Sequence, residues 1–428
     1  GRMADEDSDV EGVVVGRDGR HTGGSLVSAF VSGVESSGAD TVKVGKVPTH
    51  VLAWYARGSS RYRAMVTASH NPPEDNGVKL FSDSGTEMTE EVEERIEKVI
   101  EDGTNEDWER WSSDEKREVV DGYVEDAVEY VGSRTDGKPK LDIRVAVDCG
   151  NGVGALTTPQ VLGRLGCDVV TFNAQIDGSF PGRSPKPEEG SLTEFAEFVS
   201  NGGFDLGVAH DGDADRTVVL DPEGSVVPED AVLAALARDR VEGRGTNEET
   251  PVVVTTPNTS SKVDETVENA GGKVRRTPLG SLSEALEEFD DVVFAAEPWK
   301  HLFPDFGGWV DGTVTAAEVV RLVDEKGGVE TLFQGLDDVS IDKVNVDCPE
   351  GRKEEVMERV IERLSERFEG EIDSTNGVRV DFKDDGSWVL VRPSGTEPLI
   401  RVYSESKGRD DVLTEVVGVV EEEVDEPS

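Results

Sequence analysis

Short runs of apolar residues, mostly valine, recur along the chain. Each run is followed by a turn of small residues and then by a stretch long enough for a helix. The plan is clearest near the start, where Gly12–Gly16 is followed by Leu26–Ser36 and by a second apolar run, Thr41–Val44. Two further copies begin and end with the runs Arg144–Asp148 and Asp168–Phe172, and Pro251–Thr255 and Lys273–Arg276. Strand–helix–strand units of this length form crossovers in parallel or mixed sheets, so the pattern predicts three related α/β domains.

The pattern changes after about residue 340. A long charged helix is predicted at Lys353–Phe368, and three β-runs follow it at Val378–Phe382, Trp388–Val391 and Leu399–Tyr403. Polar, glycine- or charge-rich linkers separate the earlier units. The sequence therefore predicts an α/β protein. Its three related α/β domains with mixed sheets span residues 1–136, 137–240 and 241–340, and a smaller C-terminal α+β domain spans 341–428.

Charge changes this picture of an ordinary multidomain protein. The 428 residues include 91 Asp and Glu against 44 Lys and Arg, a formal net charge of −47. The β-type runs argue against global disorder as the reason for this charge. A cation-binding tail would account only for the acidic residues at the ends of the chain, because acidic residues are spread over every segment. We interpret them as a solvated coat suited to high ionic strength, as in halophiles, because the Debye length falls to about 3 Å at 1 M salt. Such a surface predicts no nucleic-acid partner and no binding to anionic membranes.

Cysteines and hydropathy indicate the compartment. Cys149, Cys167 and Cys348 are few, odd in number and widely spaced, which favours a reducing compartment over a disulfide framework or a zinc site. No apolar run approaches the roughly 20 residues that cross a bilayer, and the acidic start does not have the pattern of a signal peptide. A soluble cytoplasmic protein is expected.

A serine stands in a turn after the apolar run that ends at Met65 and Val66. The segment continues Thr67-Ala68-Ser69-His70-Asn71-Pro72, and Lys79 follows shortly after. A serine hydroxyl becomes a nucleophile when a base or cation lies nearby, and His70 and Lys79 are candidates for that role. A plain polar turn is the alternative for this segment taken alone.

Alternate aspartates follow the apolar run Leu206–Ala209. They are Asp211, Asp213 and Asp215, with Arg216 after them. Side chains at alternate positions of an extended segment point to one side, and three converging carboxylates suit Mg²⁺ or Ca²⁺. The loop lacks the glycine and glutamate positions of an EF-hand, which excludes that site. A solvated acidic turn remains the alternative.

Three further segments carry polar groups suited to sugars or phosphates. The loop Arg392–Pro398, with Ser394, Gly395 and Thr396 inside it, has the composition of a phosphate cradle or of a hairpin turn. Glu297 and Trp299 follow a β-run in Ala296–His301, where they suit a sugar or a core edge. Arg17 and Arg20, near the end of the first strand, suit a phosphate contact or an ion pair.

In this order and spacing, the serine, aspartate, sugar and phosphate segments resemble the motifs of the α-D-phosphohexomutase family of phosphoglucomutases, phosphomannomutases and phosphoglucosamine mutases. The resemblance covers nearly the whole chain and implies four domains around a central cleft. It implies an isomerase that interconverts hexose 1-phosphate and hexose 6-phosphate through a phosphoserine and a bisphosphorylated sugar. As the substrate, phosphoglucosamine or phosphomannose is slightly favoured over phosphoglucose. A magnesium-dependent phosphosugar phosphatase and a catalytically idle sugar-phosphate binding protein are the alternatives.

The resemblance also assigns roles to residues. Mg²⁺ would be held by Ser69, Asp211, Asp213 and Asp215, and the residues of transfer would be Ser69, His70, Lys79 and Arg216. The substrate would contact Arg17, Arg20, Glu297, His301, Arg392, Ser394, Gly395 and Thr396. A hexose 1,6-bisphosphate would be the activator, and the protein would be a monomer or a homodimer. The sugar loop departs from the family pattern, Glu-x-Ser-Gly-His, because Trp299 and Lys300 replace its two small residues.

Overall fold

The structure is a computed structural model. It describes residues 10–83, 85–88, 90–102, 107–135, 137–138, 140–244, 249–336, 341–374, 376–382, 386–394, 397–405 and 410–425. The chain forms two compact units. Unit one contains Gly1–Val232 and Trp299–Gln334, and unit two contains Leu233–Pro298 and Gly335–Ser428.

The first sheet of unit one has five strands in the order β4-β3-β1-β2-β5. They are β1 (Gly12–Arg17), β2 (Asp40–Lys46), β3 (Arg61–Val66), β4 (Val78–Phe81) and β5 (Asp114–Lys116). The helices of this part are α1 (Gly23–Ser36), α2 (Thr49–Ala56), α3 (Glu90–Asp102) and α4 (Val120–Gly132). Only β4 is antiparallel to its neighbour. Val13, Val14 and Val15 of the central strand are buried, as expected for a parallel strand covered on both faces.

The second sheet of unit one has the order β7-β6-β8-β9. Its elements are β6 (Arg144–Asp148), α5 (Thr158–Arg164), β7 (Asp168–Phe172), α6 (Thr193–Gly202), β8 (Leu206–His210) and β9 (Thr217–Leu220). The strands β6, β7 and β8 are parallel, and β9 returns antiparallel to β8. This return is short, so the loop between β8 and β9 is held at the carboxyl end of β8.

Unit one is completed by a later part of the chain. Its elements are β13 (Lys300–Leu302), α10 (Gly312–Lys326) and α11 (Val329–Phe333). Helix α10 is buried from Gly312 to Val323 because it packs against α4, α5 and β9. This packing joins the helices of the first and second sheets into one core.

Unit two contains three parallel strands of one sheet, and a separate antiparallel sheet. In the first, β10 (Val252–Thr255) lies between β11 (Lys273–Arg276) and β12 (Val292–Glu297), with the helices α8 (Ser261–Asn269) and α9 (Ala285–Glu288). Helix α7 (Glu229–Glu242) leads into this unit from unit one.

The last sheet has the order β14-β18-β17-β16-β15 and is antiparallel throughout. Its elements are β14 (Asp342–Asp347), α12 (Lys353–Arg367), β15 (Glu371–Asp373), β16 (Val378–Asp381), β17 (Trp388–Pro393), β18 (Leu399–Glu405) and α13 (Asp410–Asp425). Helix α12 buries Val356, Val360 and Leu364, whose spacing of four places them on one face.

The predicted architecture is confirmed: three α/β parts with mixed sheets precede a smaller α+β part. The runs Asp168–Phe172 and Lys273–Arg276 are strands with the predicted bounds, whereas β18 continues two residues beyond its predicted end. The domain limits at 136, 240 and 340 stay a prediction. Among the described residues, no helix combines the length and the apolar character needed to cross a membrane.

Candidate active site

Ser69 lies in the loop that leaves β3, in a conformation that few residues with a side chain adopt. Its φ is +47°, in the left-handed region, which costs energy for a non-glycine residue. The backbone N–H of Ser69 donates to Thr67 Oγ1 at 2.8 Å, and the Thr67 hydroxyl donates to Asp18 Oδ2 at 2.8 Å. The loop is therefore held in this conformation by the end of β1.

Arg20 supplies the remaining restraint. Its guanidinium group is fully buried and pairs with Asp18, Nε to Oδ2, at 3.0 Å. The same group donates to four backbone carbonyls of the serine loop, at 2.5–3.0 Å: those of Ser69, Asn71, Pro72 and Asp75. Of the two readings that the sequence left open for Arg20, the structure shows the ion pair. These contacts make Arg20 a positioning group of the serine loop, and its substrate contact stays a prediction.

The aspartate loop follows β8 and is anchored through His210. His210 Nδ1 lies 2.8 Å from the carbonyl oxygen of Arg216, and Nε2 lies 2.9 Å from Thr158 Oγ1. Burial lowers the pKa of His210 to about 4, so the ring is neutral at pH 7. Gly212 is required at its position because a Cβ there would lie 2.7 Å from the carbonyl oxygen of Ser69. The serine loop and the aspartate loop thus touch through their backbones.

The three aspartates converge as the sequence predicted. Asp211, Asp213 and Asp215 are all buried, and each offers an oxygen within 4.8 Å of the others. Ser69 Oγ donates to Asp211 Oδ2 at 2.7 Å. Among the described residues, Oδ1 of Asp213 and Oδ1 of Asp215 are buried without a hydrogen-bond partner. Buried, unpaired carboxylate oxygens are costly unless a cation binds them, so this donor set fits Mg²⁺.

Neighbouring charges shift the pKa values of two carboxylates of the triad in opposite directions. Burial, together with Asp215 and Asp213, raises the pKa of Asp211 well above its usual value. Burial also disfavours the charged form of Asp215, but Lys300, Lys79 and Arg216 outweigh it and hold its pKa well below the usual value. These pKa shifts arise because like and opposite charges lie close together in a poorly solvated space.

Lys79, His70 and Arg216, the predicted residues of transfer, all lie at this triad. Lys79 Nζ is 3.3 Å from Asp215 Oδ2 and 3.6 Å from Asp213 Oδ2. These carboxylates raise its pKa against the effect of burial, so it stays charged. His70 Nδ1 lies 3.4 Å from Ser69 Oγ, and burial, with Arg216 nearby, lowers its pKa to about 4. The Arg216 backbone N–H donates to Asp211 Oδ1 at 3.2 Å.

The predicted sugar loop is divided by the two units. In unit one, His301 is fully buried, with a pKa lowered to about 3 by burial. The substrate contact of His301 stays a prediction. Lys300 beside it reaches Asp215 Oδ2 at 3.5 Å. In unit two, the Gly280 backbone N–H donates to Glu297 Oε1 at 2.5 Å, so Glu297 braces a neighbouring loop.

The phosphate loop lies in unit two. Gly395 and Thr396 fall outside the described residues. Ser394 Oγ and Arg392 Nε are buried and have no hydrogen-bond partner among the residues that the structure describes. Buried donors of this kind suit an anion. Lys353 Nζ donates to the Ser394 carbonyl oxygen at 2.6 Å and fixes the start of the loop.

Arg17 is half-buried at the end of β1. It lines a groove of about 670 Å³ together with Lys43, Lys116 and Arg117. Its Nη1 donates to the Asp18 carbonyl oxygen at 3.2 Å. Its substrate role stays a prediction.

Two residues of the site escaped the sequence analysis as functional groups. Thr49, at the start of α2, donates from Oγ1 to Asp213 Oδ2 at 2.7 Å, and its backbone N–H donates to the Asp213 carbonyl oxygen at 3.1 Å. Nothing in the local sequence distinguishes this threonine from any helix start. Lys300 had one signal in the sequence: it replaces a small residue of the family's sugar-loop pattern.

Models of the four domains of phosphoglucomutase/phosphomannomutase match the chain in order. The α/β/α domain I model matches residues 1–107, domain II 121–224, domain III 228–339 and the C-terminal domain 344–423. The chain belongs to the phosphoglucomutase/phosphomannomutase family. The resemblance drawn from its motifs is therefore confirmed.

Two relatives of similar sequence and one solved structure illustrate the match. A phosphopentomutase of Thermococcus kodakarensis is 38% identical over 94% of this chain and 88% of that protein. A probable phosphoglucosamine mutase of Methanopyrus kandleri is 39% identical over 97% of this chain and 91% of that protein. A phosphoglucomutase/phosphomannomutase family protein of Burkholderia thailandensis has a similar structure, with a TM-score of 0.85 and 25% identity over 98% of this chain and 90% of that chain. These relatives are phosphosugar mutases or family members of that class.

Proposed function

We propose that this phosphosugar mutase interconverts hexose 1-phosphate and hexose 6-phosphate by passing a phosphoryl group through Ser69. The observation that carries the proposal is the 2.7 Å hydrogen bond from Ser69 Oγ to Asp211, one of three buried and converging carboxylates. A nucleophile in a strained turn, facing a cation site, is the arrangement that phosphoryl transfer requires.

Ser69, Asp211, Asp213 and Asp215 would hold Mg²⁺. When bound, the ion neutralises charge on the phosphoryl group during transfer. Lys79 stays charged beside two of these carboxylates and adds a further positive charge at the same place. Thr49 and the backbone N–H of Arg216 orient the carboxylates.

The transfer itself exchanges one phosphate ester for another. A sugar hydroxyl attacks the phosphoryl group on Ser69, the bond between that group and Ser69 Oγ breaks, and a bisphosphorylated sugar forms. His70 is neutral at pH 7 and lies 3.4 Å from Ser69 Oγ, so it would accept the proton of the attacking hydroxyl and pass it to the departing Ser69 oxygen, which becomes a serine hydroxyl; the reverse step returns the proton by the same route. Transfer of the other phosphate back to Ser69 completes the isomerisation, and a hexose 1,6-bisphosphate primes the serine.

In unit two, Arg392 and Ser394 would bind the phosphate that does not react, with Gly395 and Thr396. Their support is the pair of buried donors without partners, Arg392 Nε and Ser394 Oγ. Glu297 would bind sugar hydroxyls. The unpaired cysteines and the acidic composition support a reducing cytoplasm of high ionic strength as the working compartment.

The sugar is the most open part of the proposal. Glucosamine and mannose phosphates are favoured over glucose phosphate, and the name of the Methanopyrus kandleri relative supports glucosamine. A pentose phosphate is a second candidate because the Thermococcus kodakarensis relative is a phosphopentomutase.

A substrate panel tests the proposal. The 1-phosphates of glucosamine, mannose, glucose and ribose are incubated with the protein, Mg²⁺ and a bisphosphate primer in molar KCl, and the products are separated. Mutase activity predicts the isomeric sugar phosphate without inorganic phosphate. Stoichiometric release of inorganic phosphate indicates a phosphatase instead, and no turnover of any sugar supports a binding protein.

A further inference from the structure

Trp299 has a backbone conformation that is unusual for a bulky residue. Its φ is +67°, in the left-handed region, where an aromatic side chain is a true outlier. The carbonyl oxygen of Trp299 accepts a hydrogen bond from the Thr217 backbone N–H at 3.0 Å, and the indole packs against the apolar core that includes Val218 and Leu220. The surrounding structure therefore imposes this strained turn, which sets the direction of the next residue.

The next residue is Lys300, and its side chain points to the aspartate triad. Lys300 Nζ lies 3.5 Å from Asp215 Oδ2, the atom that Lys79 Nζ approaches at 3.3 Å. The two lysines come from different strands, β13 and β4, so their convergence on one oxygen is a product of the tertiary fold. Each lysine side chain is 25% exposed, whereas Asp215 is 5% exposed. Each lysine therefore contacts a buried carboxylate through its ammonium group while part of its side chain stays accessible to solvent.

One carboxylate does not need two lysines for neutrality. With Mg²⁺ bound, the three aspartates would carry three negative charges, which Mg²⁺, Lys79 and Arg216 would exceed together with four positive ones. A phosphoryl group on Ser69 adds about two more negative charges. The total of about five is matched only when Lys300 supplies the fifth positive charge. The excess cation is therefore explained by the phosphorylated state of the site.

We propose that Lys300 is a phosphoryl-binding residue of this active site, a second lysine opposite Lys79 that contacts the phosphoryl group carried by Ser69. The inference rests on the proposed function of Ser69. No bond is made or broken at Lys300: its ammonium group donates hydrogen bonds to phosphoryl oxygens and stays protonated.

The test compares Lys300→Met and Lys300→Arg with Lys326→Met, a control at the end of α10 whose lysine pairs with Glu325 at 3.3 Å on the surface. Each protein is first shown to melt like the wild type in molar KCl. Glucose 1,6-bisphosphate is then titrated at saturating Mg²⁺, and the phosphorylated fraction is read from intact mass. Mg²⁺ affinity is measured separately, from the shift in melting temperature of the unphosphorylated protein.

Loss of one charged hydrogen bond to the phosphoryl group predicts that Lys300→Met needs about 10- to 100-fold more bisphosphate for half-phosphorylation. Lys300→Arg recovers most of this loss, and Lys326→Met behaves as the wild type. The proposal is overturned if Lys300→Met is phosphorylated like the control, or if it differs only in Mg²⁺ affinity, which would limit Lys300 to a support for Asp215. If the wild-type protein itself gains no phosphate on Ser69, the proposed function fails rather than the role of Lys300.

Discussion

Arg20 offers the sharpest test of how the serine loop is held. Its guanidinium group is fully buried, pairs with Asp18 at 3.0 Å and donates to four loop carbonyls at 2.5–3.0 Å. The change Arg20→Gln removes the charge and most of the donors but keeps a polar side chain. It leaves the Asp18 carboxylate and several carbonyls buried without their partner, which is the costly way to break a buried ion pair.

The magnitude follows from that burial. Removing one partner of a buried pair costs about 3–5 kcal/mol, a large share of the roughly 5–15 kcal/mol that stabilises a typical domain. The loss should persist at high salt because buried pairs are poorly screened. The phosphorylated fraction of Ser69 should fall as well, since the strained loop loses the group that holds four of its carbonyls.

Urea denaturation in molar KCl measures the change in unfolding free energy, and intact mass measures phosphorylation. Arg57→Gln is the matched control because Arg57 pairs with Asp126 at 2.6 Å while both side chains are substantially exposed, 47% and 37%. Such a surface pair contributes under about 1 kcal/mol. If Arg20→Gln costs no more than Arg57→Gln and leaves Ser69 phosphorylation unchanged, the assignment of Arg20 as the anchor of the loop is refuted.

Three further predictions follow from the metal site, the buried histidine and the net charge. Asp213→Asn should remove most of the rise in melting temperature that Mg²⁺ produces in the unphosphorylated protein, and an unchanged Mg²⁺ shift would contradict the assigned ligand. Burial lowers the pKa of His301 to about 3 from an unfolded value near 6.5, so its stabilising contribution is present above pH 6.5 and is lost as the pH falls, at up to about 1.4 kcal/mol per pH unit. Unfolding free energies between pH 7 and 5 should therefore fall less steeply for His301→Gln, and equal slopes for the variant and the wild type would contradict this prediction. Thermal melts should rise from low to molar KCl because salt screens the 47 excess negative charges, and equal melting temperatures in both would remove the high-salt interpretation.

The sequence predicted the strands and the convergence of the aspartates because both are locally encoded. Valine-rich runs such as Val252–Thr255 show their burial in their composition, and glycine marks the turns that follow. Ser69 and the alternate aspartates form contiguous motifs whose residue types and spacing carry the chemistry. Their convergence in the structure required only that β3 and β8 each end at the same site.

The parts that the sequence did not predict depend on side-chain direction across distant segments. Thr49 contacts Asp213 from a position 164 residues away, and no local pattern reveals such a contact. His301 and Lys300 are neighbours on one short strand, yet one is buried and the other reaches the triad. Motif resemblance gave Lys300 no role because it aligns residue types and not the faces of a strand.

The central claim is that Ser69 carries the phosphoryl group between the two positions of the sugar. It is tested most directly by incubating the protein with isotopically labelled glucose 1,6-bisphosphate and Mg²⁺, mapping the phosphopeptide, and then adding unlabelled hexose phosphate. The account predicts one labelled phosphate on Ser69 that moves to the added sugar in stoichiometric amount, and none on a Ser69→Ala variant. Label on another residue, or label that leaves Ser69 only as inorganic phosphate, would contradict it.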